Sequence, residues 1–357
     1  MKIGIVSAEP SGDLLGSKIL SVLEQKFDDI KAIGVGSGPL ARYGLSQDRS
    51  LLEIMGLVDP ILNYKKISNF RKKLIKDFHR EEIDIFIGVD APDFNFEIHK
   101  KMQERGIKTI HVVCPSVWAW RPGRIKHFKY VDYMLCLFPF ELEYCANVQK
   151  QAFCIGHPLI DEQETFESES KEDLICLMPG SRKSEISNNL DVMIEGFNQF
   201  NYEEKFRAVI PVYKKEDKYL VQHKVQNHKF IACEHVKSAE VFKKAKAAVV
   251  CSGTATLEAL LAGIPTTVIY KTNWVNHFLL KRLMLSEFAS LPNIIAGEEI
   301  FLELIQSDAS SENIAHDLSS NLADYEFRQT MIETVKNKLM KTNLSDFVER
   351  LYEDCRS

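Results

Sequence analysis

The chain has 357 residues, 45% of them apolar, and a formal net charge of −5 at neutral pH. That length exceeds one ordinary core and points to about two domains, with a composition typical of soluble globular proteins. The acidic balance excludes a global attraction to nucleic acid. No stretch reaches the ~18 consecutive apolar residues of a membrane span, so any membrane contact is expected to be peripheral.

The first residues, MKIGIVSAEPSGD, carry too short an apolar run for a signal peptide, which suits a cytoplasmic protein. Lys2–Ala8 reads as a strand and Gly12–Phe27 as a helix with Leu15, Ile19 and Leu23 on one face. The turn between them, SAEPSGD, contains Glu9, Ser11, Gly12 and Asp13. It either holds an acceptor or is an N-cap at Ser11 with Asp13 in the first turn. Lys31–Val35 is a second strand, and Gly34, Gly36 and Gly38 cluster at its end. Their G-x-G-x-G spacing is not the G-x-G-x-x-G dinucleotide fingerprint. It reads as a sugar- or phosphate-side loop or a plain turn, with an NAD oxidoreductase as the weaker alternative.

Residues 61–78, ILNYKKISNFRKKLIKDF, place Lys65, Lys66, Arg71, Lys72, Lys73 and Lys76 around a helical face of Ile67, Phe70, Leu74 and Phe78. This is either an amphipathic helix for an anionic lipid surface or a solvated helix over the core. Ile83–Val89 and Lys108–Val113 are further strands, separated by a helix over Phe94–Arg105. The loop GVDAPDFN places Asp90 and Asp93 at the end of an apolar strand. Asp93 is expected to cap the following helix. Asp90 has no such structural duty and suits a general base that receives a hydroxyl proton. PSVWAWRPGR supplies Trp118, Trp120 and Arg121, which contact lipid, line an acceptor pocket or pack on the core.

Tyr133–Leu137 and Ala152–Ile155 are strands, and the acidic stretch Asp161–Asp173 reads as a linker. The pattern then restarts with a strand at Leu174–Met178, a helix at Ile186–Phe197 and strands at Phe206–Val212, Lys229–Cys233 and Ala247–Cys251. PGSR at Pro179–Arg182 follows a strand and is either a diphosphate turn, because Arg182 makes fixed-charge bidentate contacts, or a plain turn with a solvated Arg182. AAVVCSGTATLEALLAGIPTTVIYK reads strand, turn, helix, turn, strand. Its Ser252-Gly253-Thr254 turn directs backbone N–H groups outward at a helix start, which suits phosphate. Glu258 follows just inside that helix, either within reach of sugar or ribose hydroxyls or, in an ordinary βαβ unit, merely favouring the helix N-terminus. LPNIIAG at Leu291–Gly297 reads as a loop whose Asn293 binds a ligand or stabilises the turn. Residues 311–357 read as helices of mixed charge.

The alternation of strands and helices predicts an α/β fold of two Rossmann-like, doubly wound halves with a cleft between them. The eight cysteines form no C-x-x-C pair and several lie in apolar strand-like runs. They read as reduced core thiols, not zinc ligands or disulfides. The ten histidines form no H-E-x-x-H, so no metal is expected.

Taken in order, SAEPSGD (7–13), GVGSGPL (34–40), MGLVD (55–59), VDAPDFN (89–95), PSVWAWRPGRIK (115–126), IGHPLID (155–161), MPGSRKSEI (178–186), SGTATLEA (252–259) and LPNIIAG (291–297) resemble the lipid-A-disaccharide synthase family. The opening motif departs from the expected G-E-x-S-G-D by Ala8, which touches only local backbone geometry. The resemblance implies a GT-B fold with an acceptor and membrane-side domain at 1–165, a UDP-sugar donor domain at 166–335 and a helical tail at 336–357. It implies an inverting transfer from UDP-2,3-diacylglucosamine to 2,3-diacylglucosamine 1-phosphate (lipid X), giving a β(1→6) disaccharide 1-phosphate and UDP, with no cofactor. Asp90 would be the base. Arg182, Ser252, Gly253, Thr254, Glu258 and Asn293 would hold the donor, and Glu9 and Ser11 the acceptor. Lys65, Lys66, Phe70, Arg71, Lys72 and Lys73 would meet the anionic cytoplasmic face of the inner membrane. The resemblance leaves open a homodimer, and whether the tail packs on its own N-terminal domain or on a partner's. A UDP-sugar 2-epimerase-like enzyme and a non-catalytic nucleotide-sugar or lipid-binding protein are the competing readings.

Overall fold

The computed structural model describes residues 1–45, 60–119, 121–146, 148, 151–166, 170–212, 215–272 and 285–356. The MGLVD motif and Trp120 lie outside them. The described chain divides into two compact units, Met1–Pro158 with Met340–Ser357, and Leu159–Leu339.

The first unit is built on six parallel strands: β1 (Lys2–Ser7), β2 (Lys31–Val35), β3 (Ile85–Val89), β4 (Lys108–Val112), β5 (Tyr133–Cys136) and β6 (Gln151–Cys154), in the order β2-β1-β3-β4-β5-β6. β1 and β3 are near-continuous runs of Ile, Val and Phe because helices cover both faces of such a sheet. Gly34 in β2 has φ +140°, and a Cβ there would lie 1.9 Å from the Ile5 carbonyl oxygen. The first glycine of the G-x-G-x-G run thus serves close strand approach. The helix Pro60–Arg80 buries Ile67, Leu74 and Phe78 against Phe86 and Phe94.

The helix Ser345–Arg356 completes this unit. Phe347 is buried, with its ring 5.8 Å from Tyr133 and 6.0 Å from Phe153. The Asp354 carboxylate accepts from the Tyr133 hydroxyl and from Gln151. The chain crosses into the second unit at Pro158–Leu159, on a short helix over Pro158–Asp161 followed by a helical turn at Gln163–Phe166. The stretch expected as a linker is therefore partly folded, and Phe166 is buried.

The second unit repeats the design with β7 (Leu174–Met178), β8 (Arg207–Pro211), β9 (Ile231–Glu234), β10 (Ala247–Cys251), β11 (Thr266–Tyr270) and β12 (Glu303–Ile305), in the order β12-β11-β10-β7-β8-β9. The helix Lys183–Phe200 buries Ile186, Leu190, Met193, Ile194 and Phe197, spaced to share one face. A Cβ on Gly196 would lie 2.7 Å from Ile314, so glycine sets how closely the helix Ser311–Ala323 packs. The three-residue strand β12 carried no sequence signal. LPNIIAG, expected as a loop, is a helix over Leu291–Ala296 ended by Gly297 at φ 78°. Among the described residues, no helix is long and apolar enough to cross a membrane.

Phe347 is the fully buried aromatic anchor of the tail helix. Phe347→Ala should cost about 3–5 kcal/mol of first-unit stability in chemical denaturation, while Leu14→Ala, half exposed, should stay within about 0.5 kcal/mol.

Candidate functional site

In each sheet the connections leave in opposite directions from one pair of neighbouring strands, β1/β3 in the first unit and β7/β10 in the second. Ligands of open α/β sheets bind beyond the carboxyl ends of such strands. The sequence motifs gather at these two places.

In the first unit, Asp90 and Ala91 leave β3 with φ of 50° and 43°, two consecutive non-glycine residues in the left-handed region. Strain of this kind survives only where the surroundings impose it. The Asp90 N–H donates to the Val112 carbonyl at 2.9 Å, and Asn95 Nδ2 donates to the Asp90 carbonyl at 2.8 Å. Beneath lie buried His99 and His111, with Nε2 and Nδ1 3.0 Å apart. Burial drives both imidazoles toward the neutral form, His111 to about 3, with Arg124 adding to the effect there. Burial and the nearby Glu9 charge raise the Asp90 carboxyl pKa, against the Ala91 N–H and the Arg124 charge, which lower it.

Glu9 and Ser11 are exposed at the end of β1, and the helix Pro10–Leu23 begins between them. Ser11 is therefore inside the helix, and Glu9 occupies the N-cap position without a side-chain cap bond. Gly12 is required here, since a Cβ would lie 2.7 Å from Ser7 Oγ. Asp93 does not cap its helix, which starts at Pro92. Its carboxylate binds Arg121 at 2.8 Å and Arg124 at 2.6 Å, while its carbonyl accepts from Arg71 at 3.2 Å.

The basic helix Pro60–Arg80 divides cleanly. Lys65, Lys66, Lys72 and Lys73 are exposed. Phe70 instead packs toward the core, 6.2 Å from Phe94, and Arg71 lies over the Phe94 ring. Phe70, expected to meet lipid, is thus half-buried, and the apolar face of this helix covers its own unit. Trp118 likewise packs edge-on against Phe140 at 5.4 Å.

In the second unit, a cavity of about 370 Å³ opens at the ends of β7, β8 and β10. Its lining includes Gly180, Glu185, Ser238, Gly253, Thr254 and Glu258. Gly253 is the N-cap of the helix Thr254–Leu261, with open space where a Cβ would point. First-turn N–H groups of a helix have no intrahelical acceptor, so Thr254 and Ala255 offer theirs to a ligand. Ser252 is already engaged: its N–H donates to Ile269 and its hydroxyl to Ala289, at 2.9 and 2.8 Å. Glu258 accepts from the Ser238 hydroxyl, and burial raises its pKa.

The PGSR turn is organised by Glu185, which the sequence reading missed. Its carboxylate accepts from the N–H groups of Ser181 and Arg182 at 3.0 and 3.2 Å and pairs with the Arg182 side chain at 3.2 Å. The Arg182 side chain stays largely exposed.

Asn293 is fully buried, and its amide is saturated. Nδ2 donates to the Phe301 carbonyl and to Glu303, both at 2.8 Å, and Oδ1 accepts from Ile300 and Phe301 N–H. The expectation of direct donor contact is corrected, since no polar atom of this side chain is left over. Glu303 in turn accepts from the N–H groups of Ala289 and Ser290 and from the Ser290 hydroxyl. Asn293 thus steadies Glu303, Glu303 steadies 289–290, and Ala289 holds Ser252.

The chain matches the lipid-A-disaccharide synthetase family over residues 3–353. It is 37% identical to the lipid-A-disaccharide synthase of Idiomarina loihiensis over 331 residues, covering 88% of this chain and 87% of that one. It is 32% identical to the lipid-A-disaccharide synthase of Francisella philomiragia, covering 99% and 98%. Among solved structures it is similar to the UDP-GlcNAc 2-epimerase of Neisseria meningitidis bound to UDP-GlcNAc, with TM-score 0.64, 14% identity, 99% of this chain and 100% of that one covered. It is also similar to MurG of Acinetobacter baumannii, with TM-score 0.59, 12% identity and 99% of both chains covered. At such identities the structures speak for the fold alone, which is GT-B.

Asn293→Ala would leave Glu303 and two buried N–H groups short of partners. It should cost about 3 kcal/mol, read as a lowered Tm. UDP affinity should fall as well, measured by calorimetry below the transition.

Proposed function

The chain belongs to the lipid-A-disaccharide synthase family, and we propose how its residues carry out that reaction. The enzyme transfers the diacylglucosaminyl group of UDP-2,3-diacylglucosamine to the 6-hydroxyl of lipid X, forming a β(1→6) disaccharide 1-phosphate and UDP. An α-linked donor and a β-linked product require inversion at C1, which one in-line displacement accomplishes.

In our reading Asp90 accepts the 6-hydroxyl proton as that oxygen forms its bond to C1. The bond from C1 to the diphosphate oxygen breaks, and its electron pair leaves with UDP. Two features support Asp90: it sits at the β1/β3 switch point on strained backbone, and its carboxyl is partly desolvated, which brings a carboxylate nearer to the basicity a hydroxyl proton demands. Glu9 and Ser11 are the acceptor-side residues beside it.

The charge that develops on departing UDP needs preorganised donors. The N–H groups of Gly253, Thr254 and Ala255 at the start of the Thr254–Leu261 helix suit the diphosphate, with Arg182 as the exposed cation. Ser252 acts by holding the turn. Glu258, oriented by Ser238, suits the ribose hydroxyls. The observation that carries this assignment is the 370 Å³ cavity that brings the PGSR and SGT turns together with Glu258. The epimerase reading shares that cavity and the fold, but the sequence relationship runs to the synthases.

Membrane association is assigned to the exposed lysines of the Pro60–Arg80 helix. They provide electrostatic attraction without an apolar insert, because that helix buries its own hydrophobic face.

Asp90→Asn should lower kcat by about 10²–10⁴ with UDP binding retained, and undiminished turnover would remove Asp90 as the base. Asp90 must be ionised to act, and the Glu9 charge raises its pKa. Glu9→Gln should therefore move the acidic limb of the kcat/KM profile to lower pH. Replacing Lys65, Lys66, Lys72 and Lys73 by Gln should weaken binding to anionic vesicles by about 1 kcal/mol per lysine at low salt. Binding to neutral vesicles should not change.

A further inference from the structure

Cys114, Cys136 and Cys145 are far apart in sequence but converge in the first unit. The Cys145 sulphur lies 4.0 Å from Cys114 Sγ and 3.9 Å from Cys136 Sγ. All three ligand atoms fall within 4.8 Å of one another, and all three residues are buried. Among the described residues this is the one group of three or more Cys, His, Asp or Glu side chains gathered so closely. A point equidistant from the three sulphurs lies about 2.3 Å from each if the third side matches the other two. The distance is about 2.5 Å if that side takes its 4.8 Å limit. A zinc–thiolate bond is ~2.3 Å.

The backbone delivers these sulphurs from three different elements. Cys136 is the last residue of β5, and Cys145 ends the short helix Leu142–Cys145. Cys114 follows Val113, whose φ of 74° is a left-handed conformation for a β-branched residue. That turn is fixed by the Val113 N–H donating to the Leu135 carbonyl at 2.9 Å. The surroundings are apolar, with Phe96, Val117, Phe128 and Met134 in the same cluster. Glu141 is buried nearby, but one of its carboxylate oxygens accepts from the Leu137 and Phe138 N–H groups.

We propose that Cys114, Cys136 and Cys145 form a three-thiolate site for one soft, thiophilic metal ion, zinc(II) or copper(I). Thiolate ligands in a dry pocket select these ions over hard cations. On binding, each S–H gives its proton to the buffer as its sulphur–metal bond forms. The ion would tie the ends of β4 and β5 to the Leu142–Cys145 helix. It would thereby fix the start of the segment that runs on to Arg121 and its ion pair with Asp93. This role is structural and separate from the transfer step.

The test titrates reduced, metal-free full-length protein with Cd²⁺, as the ultraviolet-absorbing stand-in for Zn²⁺, and separately with Cu(I). Thiolate-to-metal charge-transfer absorbance should saturate at one equivalent, and three thiols should become protected from an alkylating reagent. Excess Zn²⁺ displacing Cd²⁺ assigns zinc, and saturation by Cu(I) alone assigns copper. Cys136→Ser and Cys114→Ser should each weaken binding by about 100-fold or more and abolish the metal-induced rise in Tm. The double variant Cys176→Ser, Cys355→Ser should bind as the wild type does. Absence of stoichiometric binding in the wild type, binding without protection of three thiols, or binding retained by both single variants would each overturn the proposal. The thiol-protection count is made on the wild type, so it decides the matter even if a serine variant fails to fold.

Discussion

The parallel sheet with helices on both faces is the constraint on which the rest depends. Every crossover must return the chain to the same end of the sheet before the next strand begins, and the right-handed preference fixes which face each helix takes. Where successive connections leave in opposite directions, the helices part and the strand ends stay uncovered. This happens at β1/β3 and at β7/β10. The backbone that turns away there carries Glu9, Asp90, Gly180 and Gly253, so the chemistry of each unit sits where the helices cannot close over it.

The two openings are equipped differently. The first is acidic and strained, with a carboxylate held between the repelling charge of Glu9 and the attracting charge of Arg124. The same unit buries His99 and His111 as a hydrogen-bonded pair that burial keeps neutral. The second is built from glycine turns and a helix start, which leaves first-turn N–H groups at the cavity. One suits a group that must accept a proton and the other suits a leaving group that gains charge. That division matches a glycosyl transfer between a hydroxyl and a nucleotide diphosphate.

Several residues act at one remove from these openings. Glu185 fills the turn that a phosphate reading of PGSR would have left open, and it fixes Arg182. Asn293 and Glu303 brace the segment that holds Ser252. The basic helix is amphipathic because it covers a core, which leaves Lys65, Lys66, Lys72 and Lys73 exposed on its other side.

Most strands of the two sheets were legible in the sequence, because a strand buried on both faces is a short apolar run, and Ile85–Val89, Leu174–Met178 and Ala247–Cys251 are such runs, whereas β12 carried no such signal. The motif order was legible too, since glycines, prolines and acidic residues at strand ends mark turns that no core can absorb. Tertiary structure alone decided which side chains are left with unused hydrogen-bonding atoms. Asn293 and Ser252 are drawn into networks with residues that are distant in sequence, and Phe70 turns inward against Phe94. It also decided that cysteines at positions 114, 136 and 145 meet. Sequence spacing encodes contacts only along one helix or strand, whereas these contacts are set by the strand order of the sheet.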